Sequence, residues 1–270
     1  MLLALDVGNT QTSIGLFKDS ELAATWRIAS DMSATADQLM LTLHALTADP
    51  GRVLAVGKSE SGDPPITDAV LCSVVPALTR AWSEVAARLV GERVKVISST
   101  CHLNFAIDYP EPREIGADRL ADAACAVDRF GAPVLVVDFG TATNFELVCL
   151  ASGQATFIGG IIMPGLETSA AALFSHAAKL STVELRAPAH LVGRSSVEAV
   201  QSGLIFGEVA RVDGIVTQVL AEQERLGRPK PQVVATGGLA AQVAAYSQTI
   251  ERVEPDLTLM GAALLYRYNA

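Results

Sequence analysis

Several common functional signatures are missing from this 270-residue sequence. It contains no Gly-x-Gly triplet and no Gly-x-Ser-x-Gly pentapeptide, which excludes the usual dinucleotide-binding fingerprint and the hydrolase nucleophile elbow. Lys and Arg number 20 against 29 Asp and Glu, so the formal net charge is −9. Because nucleic-acid binding depends on clustered basic side chains, this balance argues against a nucleic-acid partner. Any anionic ligand must be held by local donors.

Paired cysteines and long apolar runs are missing too. None of the four cysteines belongs to a Cys-x-x-Cys pair, and Cys72 and Cys149 fall within apolar runs, so we expect buried, reduced thiols. The four histidines have no metal-ligand spacing. No apolar run approaches the roughly 18 residues of a membrane span, and no leader-like segment precedes the first strand. The sequence therefore predicts a soluble, cytoplasmic protein without a membrane partner.

The periodicity of apolar residues predicts an α/β protein in which a similar order of strands and helices occurs twice. The first half is predicted as strands at 2–6, 12–17 and 21–28, a helix at 36–46, a strand at 69–75, a helix at 78–90 and a strand at 94–97. The second half is predicted as a helix at 117–130, strands at 134–138, 144–150 and 155–161, helices at 166–180 and 197–224, a strand at 233–235 and two closing helices.

The same strand–turn segment occurs once in each half. Asp6-Val7-Gly8-Asn9-Thr10 and Asp138-Phe139-Gly140-Thr141-Ala142-Thr143 each place an Asp at the end of an apolar strand, before a Gly turn and hydroxyl side chains. Such turns present backbone N–H groups and hydroxyls that hold phosphate oxygens without formal charge. One copy alone is usually an ordinary strand-end turn. Two copies predict a duplicated fold that binds one nucleotide.

A competing phosphate motif, Gly57-Lys58-Ser59, does not have the spacing of a P-loop. The preceding glycine, Gly51, lies six residues before Gly57 instead of five, and the following segment 59–65 is polar and Pro-rich. We reject a P-loop and predict an irregular surface segment there.

The tetrad Gly116-Ala117-Asp118-Arg119 and several other segments, in their joint order, resemble the type III pantothenate kinases. The resemblance runs nearly from end to end and also includes the two strand–turn segments, Trp26-Arg27-Ile28, Ser73-Val74-Val75-Pro76, Gly159-Gly160-Ile161-Ile162-Met163-Pro164-Gly165, Thr236-Gly237-Gly238-Leu239 and Pro255-Asp256-Leu257-Thr258-Leu259. It implies two similar actin-like (ribonuclease-H-like) domains, at residues 1–114 and 115–270, each a mixed sheet with flanking helices.

The resemblance also implies an activity: ATP-dependent phosphorylation of pantothenate to 4′-phosphopantothenate, the first step of coenzyme A biosynthesis. The implied cofactors are ATP, Mg²⁺ and a monovalent cation, K⁺ or NH₄⁺, and the implied assembly is a homodimer that completes the acceptor site. The implied ATP-binding residues are Asp6, Val7, Gly8, Asn9, Thr10, Gln11, Thr12, Ser13 and Thr141, with Asp6 holding Mg²⁺ through water. Asp138 would bind the monovalent cation. The implied pantothenate-binding residues are Tyr109, Gly116, Ala117, Asp118, Arg119 and Ser196.

Asp118 matches the catalytic base of the family. An ordinary aspartate has a pKa near 3.9, so it is ionised at neutral pH and can accept the hydroxyl proton late in a loose phosphoryl transfer. Its other interpretation is a helix N-terminal carboxylate favoured by the helix dipole, with Arg119 as a surface ion-pair partner.

Three further positions keep two interpretations each. Ser196 stands where the family has a substrate-binding Thr; it keeps the hydroxyl, but it is also a candidate N-cap of the following helix. Tyr109 either contacts substrate or packs as a loop aromatic at the domain seam. Gly237 either lets the backbone approach the adenosine ring or supplies an unusual φ.

Two other functions remain open at this point. One is a different phosphotransferase or phosphohydrolase on the same fold; the other is a nucleotide-binding regulator that has lost transfer. The retained Asp6, Asp118 and Asp138 speak against the regulator, and Tyr109 with the Gly-Ala-Asp-Arg tetrad speaks against a different acceptor.

Overall fold

The computed structural model describes residues 1–47, 66–177 and 182–270 of the chain. The rejected Gly57-Lys58-Ser59 motif and the polar segment 59–65 lie outside these residues, so the irregular segment stays a prediction. The chain forms two compact units. The first comprises Met1–Asn104, Pro110–Cys125 and Thr258–Ala270, and the second comprises Phe105–Tyr109 and Ala126–Leu257.

A five-stranded mixed sheet forms the centre of the first unit. Its elements are β1 (Leu2–Val7), β2 (Gln11–Lys18), β3 (Glu21–Ala29), helix α1 (Ala36–Thr47), β4 (Asp68–Ser73), helix α2 (Pro76–Val90) and β5 (Val94–Val96). The strand order is β3-β2-β1-β4-β5; β1, β2 and β3 are antiparallel neighbours, and β1, β4 and β5 run parallel. Leu3, Ala4 and Leu5 of β1 are fully buried, as expected for a central strand covered on both faces.

The second unit is built on a six-stranded sheet. The next elements in the chain are β6 (Ala106–Ile107), α3 (Ala117–Phe130), β7 (Val134–Phe139), β8 (Ala142–Ala151), β9 (Gln154–Pro164), α4 (Leu166–His176), α5 (Ser196–Arg225), β10 (Gln232–Gly237), α6 (Ala240–Ala244), β11 (Arg252–Val253) and α7 (Leu257–Asn269). The strand order is β11-β10-β7-β8-β9-β6. Strands β7, β8 and β9 are antiparallel neighbours, while β10 runs parallel to both β7 and β11.

The two sheets share one topology. The order β9-β8-β7-β10-β11 repeats β3-β2-β1-β4-β5 strand for strand, with β6 added as a parallel edge strand beside β9. In both, an antiparallel meander precedes parallel strands whose connections need helices. The predicted α/β class, with two similar mixed-sheet domains of the actin-like kind, is confirmed.

The two units do not divide at a single point of the chain, which differs from the expected division after residue 114. The start of α3, and α7 from Thr258 onwards, belong to the first unit. Close packing explains the grouping: a methyl group on Gly261 of α7 would overlap the backbone of Ala121 in α3. Tyr266 of α7 also donates to Asp68 of β4 at 2.6 Å. Burial and this bond to Asp68 raise the pKa of Tyr266 to about 12.

A few element boundaries differ from the predicted ones. Strands β6 and β11 are two residues long and were not predicted. Helix α4 ends at His176, with Ala177 as its C-cap, whereas the prediction extended to Leu180; residues 178–180 lie outside the described part of the chain.

All four cysteines are described, and no disulfide forms among the described residues. Cys72, Cys125 and Cys149 are buried, as predicted, whereas Cys101 is only partly buried. No helix in the described ranges is long and apolar enough to cross a membrane. Within those ranges, no three His, Cys, Asp or Glu side chains are grouped as metal ligands.

Candidate active site

The first strand–turn segment lies between β1 and β2. The N–H of Gly8 donates to the carbonyl of Gln11 at 3.0 Å, which closes the turn, and Asn9, Thr10 and Gln11 are exposed on it. Val7 and Thr12 are buried, so their side chains support the turn from inside. This leaves backbone groups and the exposed polar side chains for a ligand.

Ser30, just after β3, holds this turn in place. Its hydroxyl donates to the carbonyl of Gly8 at 2.7 Å and lies 2.9 Å from the hydroxyl of Thr12, while its N–H donates to the carbonyl of Thr10 at 2.9 Å. Sequence reasoning missed Ser30, because nothing in its neighbourhood distinguishes it from an ordinary strand-end serine. Its role follows only from the register of β2 against β3.

Asp118 lies in the first turn of α3 and is partly buried. Its Oδ1 accepts the N–H of Arg119 at 2.8 Å. Burial raises the pKa of Asp118 above the ordinary aspartate value, although the hydrogen bond and positive charge of Arg119 act in the opposite direction. The sequence-based assumption of an ordinary pKa is therefore corrected, and the carboxylate is a stronger base than an exposed aspartate.

Two neighbours of Asp118 explain the Gly-Ala-Asp-Arg tetrad. A methyl group on Gly116 would overlap Oδ1 of Asp118 and lie 3.2 Å from Cγ1 of Val74, so any side chain at this position would displace the carboxylate. Arg119 is only 8% exposed, which corrects the alternative that made it a surface ion-pair partner. Ala117 is also buried.

The charges of three carboxylates of the first unit act on Cys72, near the end of β4. Cys72 there lies opposite Asp6 in the parallel ladder. Burial raises the pKa of the Cys72 thiol well above its usual value, and the negative charges of Asp6, Asp118 and Asp122 raise it further. The structure thus brings Asp6 and Asp118 into one electrostatic environment. It adds Asp122, which sequence reasoning missed although it follows Asp118 by four residues on α3.

In the second unit, Asp138 lies near the end of β7, beside Asn144 of β8 and Thr236 of β10 in the ladders. Residues opposite one another in a sheet face the same side, so these three side chains share one face. Asn144 Oδ1 and Thr236 Oγ1 are buried and have no hydrogen-bond partner among the described residues. Two orphaned oxygens therefore flank the carboxylate that was predicted to bind a cation.

Gly237 packs directly on Asp138. Its φ is +92°, and a methyl group added there would lie 2.5 Å from Oδ1 of Asp138 and 2.5 Å from the carbonyl of Phe139. Both the backbone conformation and the packing require glycine, which supports the second of the two interpretations of this position.

The second strand–turn segment connects β7 and β8. The N–H of Gly140 donates to the carbonyl of Ala142 at 3.0 Å, and Thr141 is exposed on the turn. Thr143, just beyond the turn, donates to Oε1 of buried Glu208 on α5 at 2.8 Å, and Glu208 forms an ion pair with Arg211. Like the first turn, this one is closed by its own backbone and held from behind by side chains.

Tyr109 is positioned by the short edge strand β6. Ile107 lies opposite Phe157 in the ladder, and the N–H of Asp108 donates to the carbonyl of Phe157 at 2.9 Å. The Tyr109 ring meets Phe157 edge to face at 6.3 Å, and its Cε2 would be 3.8 Å from a methyl group on Gly159. The tyrosine is partly exposed, and the edge-to-face contact with Phe157 restrains its ring.

Ser196 is the first residue of α5 and is exposed. The N-cap is Ser195, whose hydroxyl accepts the N–H of Glu198 at 3.2 Å, so the alternative interpretation of Ser196 as the N-cap is wrong. Ser196 lines a cavity of about 500 Å³ between α4 and α5. The other lining residues are Ser169, Leu173, Ala199, Val200, Gly203 and Leu204.

The predicted site residues thus divide between the units. Residues 6–13 and the tetrad 116–119 lie in the first unit, and Tyr109, Asp138, Thr141 and Ser196 lie in the second. Within the first, the charges of Asp6 and Asp118 both act on Cys72.

Comparison with known proteins identifies the family. A family model described as type III pantothenate kinase matches residues 2–218. A type III pantothenate kinase of Frankia casuarinae is 40% identical over 270 residues and covers 100% of both chains. One from Syntrophotalea carbinolica is 42% identical, over 100% of this chain and 99% of the relative.

Solved structures are similar in fold. The activator of 2-hydroxyisocaproyl-CoA dehydratase from Clostridium difficile, with bound ADPNP, has a TM-score of 0.51 at 14% identity, covering 99% of this chain and 94% of its own. At this identity the similarity concerns the fold alone. The family model and the full-length matches to curated relatives show more than the fold. They show that the chain belongs to the type III pantothenate kinase family.

Proposed function

We propose that the chain transfers the γ-phosphoryl group of ATP to the primary hydroxyl of pantothenate, with Asp118 as the base. The family supports the reaction, and the environment of Asp118 supports the role of this residue. Its carboxylate is fixed by the N–H of Arg119 and by contact with Gly116, and burial makes it more basic than an exposed aspartate. In phosphoryl transfer with a loose transition state, the base accepts the hydroxyl proton late, and a raised pKa of the base favours this proton transfer.

In the first unit, the turn after β1 is the proposed phosphate-binding segment. Exposed Asn9, Thr10 and Gln11 and the backbone of residues 6–13 offer neutral donors, which suits a chain with a net charge of −9. Asp6, at the end of β1, would hold Mg²⁺ through water. Bound Mg²⁺ would neutralise charge on the phosphate oxygens. In the second unit, exposed Thr141 is the proposed ATP-binding residue.

A monovalent cation is proposed at Asp138. K⁺ and NH₄⁺ need several oxygen acceptors and only modest negative charge, and Asn144 Oδ1 and Thr236 Oγ1 supply two uncommitted oxygens beside one carboxylate. The donor set therefore fits such a cation. Its positive charge would offset the charge of Asp138 and of a bound phosphate.

For pantothenate we propose Tyr109, the tetrad Gly116, Ala117, Asp118 and Arg119, and Ser196. The cavity at Ser196 combines two hydroxyls, from Ser169 and Ser196, with apolar Leu173, Val200 and Leu204. This mixture suits pantothenate, which carries hydroxyl and amide groups beside two methyl groups.

A homodimer is the proposed assembly. Several large apolar side chains of the second unit are exposed, in β9, in the chain leading into α5 and in the first turn of α5: Ile161, Ile162, Leu191, Val192 and Val197. Such exposure favours a contact with another chain. Sedimentation equilibrium would give the mass of two chains if this proposal holds and of one if it does not.

The use of ATP supports the predicted cytoplasmic location.

The decisive assay measures ADP release with MgATP and pantothenate in K⁺, in NH₄⁺ and in neither. Pantothenate-dependent turnover that requires the cation supports both the acceptor and the cation. Turnover with another alcohol but not with pantothenate would favour a different phosphotransferase on this fold. ATP binding without any turnover would favour a nucleotide-binding regulator instead.

A further inference from the structure

The second phosphate turn is held from outside by a residue that no motif includes. Oγ1 of Thr168, in the first turn of α4, donates to the carbonyl oxygen of Thr141 at 2.6 Å. The N–H of Gly165, the N-cap of α4, donates to the same oxygen at 3.1 Å. A carbonyl oxygen has two lone pairs, so these two donors occupy both.

The two bonds fix more than one oxygen atom. The Thr141 carbonyl and the Ala142 N–H belong to one planar trans peptide and point in opposite directions. Holding the carbonyl towards α4 therefore turns the Ala142 N–H away from α4. It also sets ψ of Thr141, and with it the direction of the Thr141 side chain relative to that peptide.

The turn has little freedom to find another arrangement. A methyl group on Gly165 would overlap the carbonyl oxygen of Gly140, so the start of α4 already touches the turn. On the far side of the turn, Thr143 is bonded to Glu208. The hydrogen bond from Thr168 is the contact that a substitution can remove without disturbing buried packing, because this side chain is exposed.

The first unit contains a related contact, at the carbonyl one position earlier in the repeated segment. There the hydroxyl of Ser30 donates to the carbonyl of Gly8 at 2.7 Å, also from an element outside the turn. The two hydroxyls come from different places in their units, Ser30 from the end of β3 and Thr168 from α4. In each unit, then, an external hydroxyl fixes the direction of a carbonyl in the phosphate turn.

We propose that Thr168 is a positioning residue for the nucleotide, which acts by orienting Thr141 and the Thr141–Ala142 peptide. The inference rests on the proposed function, in which Thr141 contacts ATP. Thr168 itself touches neither substrate in this scheme. Its loss should therefore weaken the binding of ATP and leave the binding of pantothenate unchanged.

Thr168→Val tests the proposal because it removes the hydroxyl and keeps the shape of the side chain. The KM for ATP should rise about fivefold, the effect of one hydrogen bond, while the KM for pantothenate and kcat change less than about twofold. Calorimetric titration with a non-hydrolysable ATP analogue and Mg²⁺ should show the same weakening without pantothenate. Thr168→Ser keeps the hydroxyl and should restore the wild-type KM.

Thr42→Val is the matched control. Thr42 is also an exposed helical threonine, but its hydroxyl donates to the carbonyl of Gln38 in its own helix at 3.0 Å and not to a carbonyl of a phosphate turn. This variant should leave both KM values and the titration unchanged.

An unchanged affinity for the ATP analogue in Thr168→Val would overturn the proposal. So would a parallel rise of both KM values with a fall in Tm that Thr168→Ser does not correct, because that pattern indicates a structural role. The titration needs no acceptor. A wild-type protein inactive on pantothenate would therefore contradict the proposed function while the titration still decides the role of Thr168.

Discussion

A methyl group placed on Gly116 would overlap Oδ1 of Asp118. The glycine therefore determines where this carboxylate lies, and it lies there only because no side chain occupies the space. Asp118 is in turn tied to α3 by the N–H of Arg119. Within the Gly-Ala-Asp-Arg tetrad, Gly116 thus leaves the space that the Asp118 carboxylate occupies. The N–H of Arg119 then donates a hydrogen bond to that carboxylate.

Gly116→Ala should displace the carboxylate and lower kcat/KM for pantothenate by about a hundredfold, because a displacement of the order of 1 Å at a reacting group has that effect. Steady-state kinetics measures the change. Gly214→Ala is the control, since a methyl group on this helical glycine would meet nothing within 4 Å. Wild-type kinetics in Gly116→Ala would show that the position of the carboxylate is not critical.

Asp118→Asn should separate activity from stability. Turnover should fall at least about a hundredfold, the usual contribution of a general base. The pKa of Asp118 is raised in the folded protein, so its contribution to stability is fully present below the unfolded value of 3.8 and is lost as the pH rises through the folded value. The asparagine side chain carries no ionisable carboxyl group, so the variant does not lose this stability at neutral pH. It should therefore have a higher Tm than the wild type.

Thermal unfolding of both proteins across the acid range checks the sign. The difference in Tm should shrink as the pH falls towards 3.8. The acid limb of the wild-type pH–rate profile should lie above that value as well. A Tm that is lower in the variant at neutral pH would contradict the inferred burial of an ionised carboxylate.

Thr236→Val should raise the K⁺ concentration needed for half-maximal activity, by roughly fivefold if one oxygen ligand is lost. It should not lower stability, because Thr236 Oγ1 has no hydrogen-bond partner among the described residues. Thr47→Val provides the contrast: the buried Thr47 hydroxyl donates to Leu43 at 2.9 Å, so its loss should lower the urea midpoint without altering the K⁺ requirement. An unchanged K⁺ requirement in Thr236→Val would remove this residue from the cation site.

Ser30→Ala should loosen the first phosphate turn by freeing the carbonyl of Gly8. The expected result is a rise of about fivefold in the KM for ATP, with kcat nearly unchanged. Ser33→Ala is a close control, because the exposed Ser33 hydroxyl donates to Asp31 at 2.7 Å and not to the turn. Equal KM values in the two variants would show that the turn keeps its shape without Ser30.

Much of the fold was predictable because its central strands are short apolar runs between turn residues. Leu2–Val7 and Val134–Phe139 are the clearest cases, and both were predicted to within one residue. The two-residue strands β6 and β11 were not predicted. They exist only through pairing with β9 and β10, and two residues carry no periodicity of their own.

The supporting residues of the site were less accessible to sequence reasoning than its motifs. Asn144 meets Asp138 across the β7–β8 hairpin, whereas Thr236 meets it only through the register of β10 against β7, two strands that lie far apart in the chain. Register over such distances cannot be derived from local pattern. The helix cap at Ser195 instead of Ser196 is a local failure, since two adjacent serines fit the same signal and only backbone dihedrals separate them.

The membership of α7 in the first unit has a consequence for how the protein is made. The chain leaves this unit at Cys125 and returns to it only at Thr258. During synthesis the first unit therefore cannot be completed until the whole second unit has been translated, although most of its own residues emerge first. Until Gly261 reaches Ala121 and Tyr266 reaches Asp68, the nascent chain carries an unfinished core that is exposed to aggregation and to chaperones.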